Sequence, residues 1–132
     1  MLFRSHEKTA TQLQSTGVLT TPFGRRRTFL NRLSDSATLR EAVAFVPQSL
    51  IADYMNAGVC RLWSWGKVDL LAQIHDAVIF EYPEDRDDLV AEAATILSAP
   101  IKLLNGDLFS IPCEPNMGWN WGKESEIGRA HV

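Results

Sequence analysis

The chain has 132 residues, of which 45% are hydrophobic and 22% charged, an ordinary globular composition for one domain or part of a larger protein. It has no apolar run long enough to cross a bilayer, and two cysteines are too few for a disulfide scaffold. Neither Cys60 nor Cys113 lies in a CxxC or Cys/His cluster, which argues against a structural zinc site and for a reducing, cytosolic setting. The formal charge of −3 is unevenly distributed. Residues 1–66 carry eight Lys/Arg against four Asp/Glu, and residues 67–132 carry five against twelve. A basic half beside an acidic half suits an anionic partner held on one surface, although solvated helix faces give the same arithmetic.

Residues 6–15 read as the continuation of a helix, and Val18 to Phe23 as a short strand ending near Pro22. Gly24 then opens a basic run, Arg25-Arg26-Arg27, expected as an exposed loop. Such a loop needs only to bring its cations within reach of phosphates to bind them. Ser34-Asp35-Ser36 offers N-cap chemistry for a long helix over about 37–64. Val43, Val46, Leu50, Tyr54 and Met55 make its expected buried stripe, and Pro47 is expected to break or kink it. A second face carries Arg40, Ala44, Gln48 and Ala52, four residues apart. Its alanines would let something large approach the backbone.

Val68–Ile74 and Ala77–Tyr82 are apolar runs separated by His75-Asp76, which predicts a β-hairpin with that pair at its turn. A carboxylate there must meet water, a cation or a hydrogen-bond donor, because burial without a partner is costly. One solution is Mg²⁺, which protein holds through one or two carboxylates. The plain alternative is that Asp is simply a good turn residue. Pro83-Glu84-Asp85 introduces a helix over about 86–98, with Leu89, Ala93, Ile96 and Leu97 inward, and Pro100 stops it. Asp107 to Cys113 reads as a last strand. The four tryptophans (Trp63, Trp65, Trp119 and Trp121) are expected in core or edge packing rather than stacked on bases, and Cys60 in the core. The expected class is α+β, helices against a small antiparallel sheet.

Four segments in order resemble the C-terminal palm region of family A, DNA polymerase I-like, DNA polymerases. Leu19 to Arg27 (LTTPFGRRR) looks like the segment where the family has T-x-x-G-R-R. Arg40 to Asp53 (REAVAFVPQSLIAD) looks like R-x-x-x-N-x-P-x-Q-G-x-x-A-D. Gln73 to Pro83 (QIHDAVIFEYP) looks like motif C, Q-V-H-D-E-L-V-F-E-V-P, and Gly118-Trp119-Asn120-Trp121 like the closing G-x-N-W. The match spans about residues 12–122 and is nearest in flavour to phage-type members. Ala77 departs from the motif C glutamate, Ala44 from the asparagine and Ser49 from the glycine. Pro47 is displaced relative to the family's proline.

The resemblance implies a partial palm over residues 6–126, with a His-Asp-tipped β-hairpin packed against helices. It implies DNA-directed DNA polymerisation, in which nucleotide passes from dNTP to a primer 3′-hydroxyl by a two-metal mechanism. Asp76 is then a catalytic carboxylate and metal ligand, sharing two Mg²⁺ ions with a motif A aspartate; such ions sit about 3.5–4 Å apart. His75 lies beside the primer terminus, Arg40 and Gln48 touch primer–template DNA from the minor groove, and Arg25, Arg26 and Arg27 hold backbone phosphate. Minor-groove contact at shared acceptors suits an enzyme that must bind every sequence. Motif A, the nucleotide-binding fingers helix, the thumb and an exonuclease domain have no counterpart here, so the fragment is expected to be inactive alone and to need the missing N-terminal part of the same polymerase. Its location would be the cytoplasm of a bacterium or of a phage-infected host, with no membrane partner. Leu2-Phe3-Arg4-Ser5 and Ile127 to Val132 resemble translated sequencing-adapter ends, so residues 1–5 and 127–132 are expected to lie outside the domain. The alternative reading is a non-catalytic nucleic-acid-binding α+β module in which Asp76 is only a turn residue. A third is an acidic interaction surface on the 84–92 segment.

Overall fold

The computed structural model describes residues 2–119, with side chains from Glu7 onward. In chain order the elements are α1 (Leu2–Thr16), β1 (Val18–Thr20), β2 (Arg26–Thr28), α2 (Ser36–Trp65), β3 (Asp69–Ile74), β4 (Ala77–Glu81), α3 (Asp88–Leu97), β5 (Ile101–Lys102) and β6 (Leu108–Phe109). The strands form three antiparallel two-stranded ribbons, β1–β2, β3–β4 and β5–β6. The class is α+β, as expected. The chain divides into two compact units. The first runs to Asp53 and includes Leu103–Asp107; the second comprises Tyr54–Lys102 and the chain from Leu108 on.

In the first unit, Gly17 ends α1 with a left-handed φ of 67° and donates to Leu13 O at 2.8 Å. The chain then enters β1 and reverses through Thr21–Gly24. There Gly24 N donates to Thr21 O at 2.8 Å, and Gly24 takes a φ of 88°, open to glycine at little cost. The arginine run therefore enters a strand instead of a loop. Its backbone finds ladder partners, with Thr20 opposite Arg26, Leu19 opposite Arg27 and Val18 opposite Thr28. Leu13, Leu19, Phe29, Ala42 and Phe45 form the core of this unit, and Phe29 meets Phe45 edge-on at 6.3 Å between ring centroids.

Asp35 supplies the expected start of α2, its Oδ1 accepting from Ala37 N at 3.3 Å. Pro47 does not break the helix, contrary to the sequence expectation; the helical assignment continues to Trp65. Proline costs one backbone bond there, and about three turns precede it while about five follow. Of the expected stripe, Tyr54 is buried, and Val46 and Met55 are half-buried and packed against the cores. In the first unit α2 buries Thr38, Ala42 and Phe45, while Val43 and Leu50 are half-buried; in the second it buries Tyr54, Gly58 and Leu62. Within each unit the buried residues recur at three- or four-residue steps, the spacing of one helix face.

The second unit has the core Leu62, Val78, Phe80, Ala93 and Leu97, with Met55, Val59, Trp65, Leu70 and Tyr82 packed against it. α3 shows its inner face through Leu89, Val90, Ala93 and Leu97, and Ile96 is half-buried. α2 and α3 approach closely at Gly58, where an added Cβ would stand 3.0 Å from Leu97 Cδ2. Across the same contact Tyr54 Oη donates to Ala99 O at 3.0 Å, and Arg61 Nε donates to Ile96 O at 3.2 Å. The two acceptors lie at and just beyond the end of α3, and Ile96 O also accepts from Ala99 N at 3.3 Å. The expected strand at 107–113 is reduced to Leu108–Phe109, paired with the unpredicted β5.

Candidate functional site

His75 and Asp76 join β3 to β4. Ile74 pairs with Ala77, Gln73 with Val78 and Leu70 with Phe80, which leaves these two residues as the link between the strands. His75 takes a φ of 52°, the one left-handed residue other than glycine among those described. Val78 and Phe80 anchor the link by entering the core. The ladder shifts register between Leu70 and Ala72, so Leu71 has no partner opposite it and is 55% exposed. Asn56 of α2 accepts from Gln73 Nε2 at 3.3 Å, tying β3 to the helix within this unit.

Both His75 and Asp76 are exposed. A solvated carboxylate escapes the burial penalty and can ligate a cation. Among the described residues, however, no three His, Cys, Asp or Glu side chains come together as a metal site. One carboxylate on a turn is too small a donor set for the two-ion centre that the motif resemblance implies.

The remaining candidates belong to the first unit, and the three arginines differ in their surroundings. Arg25 Nε donates to Asp53 Oδ2 at 2.8 Å and Oδ1 at 3.1 Å, and its Nη2 also bonds Asp53. The guanidinium hydrogen bonds, aided by its charge, hold the Asp53 carboxyl below the usual range, and the same contact raises Arg25. Arg27 Nη2 bonds Glu41 Oε2 at 3.2 Å, while its guanidinium lies 4.6 Å from the Phe29 ring centroid and 5.7 Å from that of Phe45. Arg26 is exposed and makes no hydrogen bond or ion pair among the described residues. Arg40 and Gln48 are exposed on α2, and Arg40 Nε reaches back to Ser36 O at 3.4 Å. Sequence reasoning missed Asp53 and Glu41 as arginine partners. Asp53 closes the REAVAFVPQSLIAD string, but nothing in that string tells which cation it meets.

Two minor expectations are corrected. Trp63 and Trp119 are 76% and 55% exposed, and among the described tryptophans only Trp65 packs against the core, with Lys67 Nζ 5.8 Å from its ring centroid. Cys60 is exposed, because it lies off the Tyr54–Gly58–Leu62 face of α2. Asn120 and Trp121, the second half of the closing G-x-N-W stretch, fall outside the described residues. Among the described residues no helix is long and apolar enough to cross a membrane.

No protein-family model matches the chain. The chain is similar to a curated protein, the thermostable DNA polymerase I of Thermus filiformis, with 33% identity over 120 residues. The similarity covers 85% of this chain and 14% of that polymerase, so the chain spans about one seventh of its relative's length.

Proposed function

We infer that the chain is a palm segment of a family A DNA polymerase of phage type, carrying the motif C hairpin and part of the DNA-facing surface. The observation that carries this reading is the order of the motifs along a chain similar over 85% of its length to a DNA polymerase I. Asp76 stands on an exposed two-residue link between paired strands, as a metal-ligating carboxylate requires. In the whole enzyme it would ligate Mg²⁺ together with a carboxylate from elsewhere in the polymerase, and His75 would lie near the primer end. Arg40 and Gln48, exposed on α2, and the segment that holds the arginine run would supply contacts to primer–template DNA. The complete reaction transfers a nucleotide from dNTP to the primer 3′-hydroxyl. The two-ion reaction needs a second carboxylate beside Asp76, and among the described residues no three His, Cys, Asp or Glu side chains gather as a metal site, so this chain alone is expected not to extend a primer.

Binding of the purified chain to a fluorescent duplex oligonucleotide, followed by anisotropy over a salt series, tests the DNA-facing assignment. The expected result is weak binding that falls as salt rises, because phosphate contact releases condensed counterions. Affinity that is flat in salt and unchanged by Arg40→Ala would refute it.

A further inference from the structure

The three consecutive arginines do not have equivalent surroundings, and the ribbon geometry separates them. Directly opposed residues of an antiparallel pair project to the same face, and successive residues to opposite faces. Leu19 and Arg27 are opposed, and both face the core: Leu19 is 1% exposed, and the Arg27 guanidinium covers Phe29 and Phe45. Thr20 and Arg26 are opposed on the other face, together with Thr28, and all three are exposed. Arg25 precedes the strand and is bound to Asp53.

We propose that the solvent face of the β1–β2 ribbon is a nucleic-acid phosphate contact made by Arg26, with the Thr20 and Thr28 hydroxyls beside it, and that Arg25 and Arg27 build the ribbon instead of binding. A guanidinium flanked by two hydroxyls offers donors only to the non-bridging oxygens of a phosphate, and it reads no base. Arg27 already has a carboxylate partner and two aromatic faces, and Arg25 has a carboxylate that accepts more than one bond. Moving either onto DNA would strip a charge from its partner. Moving Arg26 costs no such bond. The inference rests on the DNA-binding reading above and assigns its phosphate contact to one side chain.

The same duplex and salt series decides it, with circular dichroism reporting the fold of each variant. Arg26→Ala should lower the slope of log affinity against log salt by about 0.9, the value of one phosphate contact on B-form DNA. That slope change means the loss of affinity between 50 and 200 mM salt shrinks by about threefold. Arg26→Lys should keep the slope, and Lys102→Ala, on β5 of the second unit, should leave it unchanged. Arg27→Lys, which keeps the charge but loses the planar stacking, should lower the melting temperature and leave the slope alone. An unchanged slope for Arg26→Ala in a chain that still binds with salt dependence would overturn this assignment while sparing the DNA-binding reading. An unsubstituted chain with no salt-dependent binding would overturn both.

Discussion

Gly58 of α2 packs against Leu97 of α3, and two opposing effects meet in a substitution there. Placing alanine there gains about 1 kcal/mol of helix propensity over glycine. It also puts a Cβ 3.0 Å from Leu97 Cδ2, with the Leu97 Cα 3.8 Å away. Leu97 is 5% exposed and belongs to the core, so its methyl can yield only a few tenths of an ångström before it meets neighbours. Gly58→Ala should therefore fall within about 1 kcal/mol of the parent, gain and crowding nearly cancelling. Gly58→Val gains only about 0.4 kcal/mol of propensity and adds two methyls that the gap cannot admit, at about 1–3 kcal/mol of overpacking. The valine variant should lie about 1–2 kcal/mol below the alanine variant, which for a unit of this size is a drop of roughly 5–15 °C in Tm. Urea unfolding followed by tryptophan fluorescence reads the difference, since Trp65 packs on the same core. A valine variant as stable as the alanine variant would show that α2 and α3 do not approach in solution as described.

Other expectations follow from the same contacts. Phe80→Ala removes a fully buried ring beneath the hairpin and should cost about 3–5 kcal/mol, read as a lower urea midpoint; a loss under about 1 kcal/mol would contradict the burial of β4. Because the Arg25 contact depresses the folded Asp53 carboxyl, its stabilisation is complete above the unfolded carboxylate range, near pH 4, and is lost as pH falls through the lower folded value. Asp53→Asn should therefore flatten the acid side of a Tm–pH profile and change little in the shape of its neutral side. Burial pushes the Cys113 thiol up, so an alkylating reagent at pH 8 should label exposed Cys60 first, as peptide mapping would show; faster labelling of Cys113 would contradict the packing.

Much of the fold was legible because its signals are local. The paired apolar runs around His75-Asp76 located the hairpin to within a residue, and Ser34-Asp35-Ser36 located the start of α2. Failures came where tertiary partners decide. Pro47 is a strong breaker in isolation, yet long helical runs on both sides continue through it. The arginine run reads as a loop until β1 supplies its ladder. Its three members look identical in sequence, and only Asp53, Glu41 and the two phenylalanines distinguish them. Asp76 was legible as an exposed turn residue through its place between two apolar runs. Nothing in its immediate surroundings marks it as a metal ligand; that assignment comes from the ordered motifs.

The most direct measurement of the central claim is primer extension by a hybrid in which this chain replaces the similar region of the Thermus filiformis polymerase, compared with the same hybrid carrying Asp76→Asn. Magnesium-dependent extension is expected from the first and none from the second. Equal extension by both would show that Asp76 is only a turn residue.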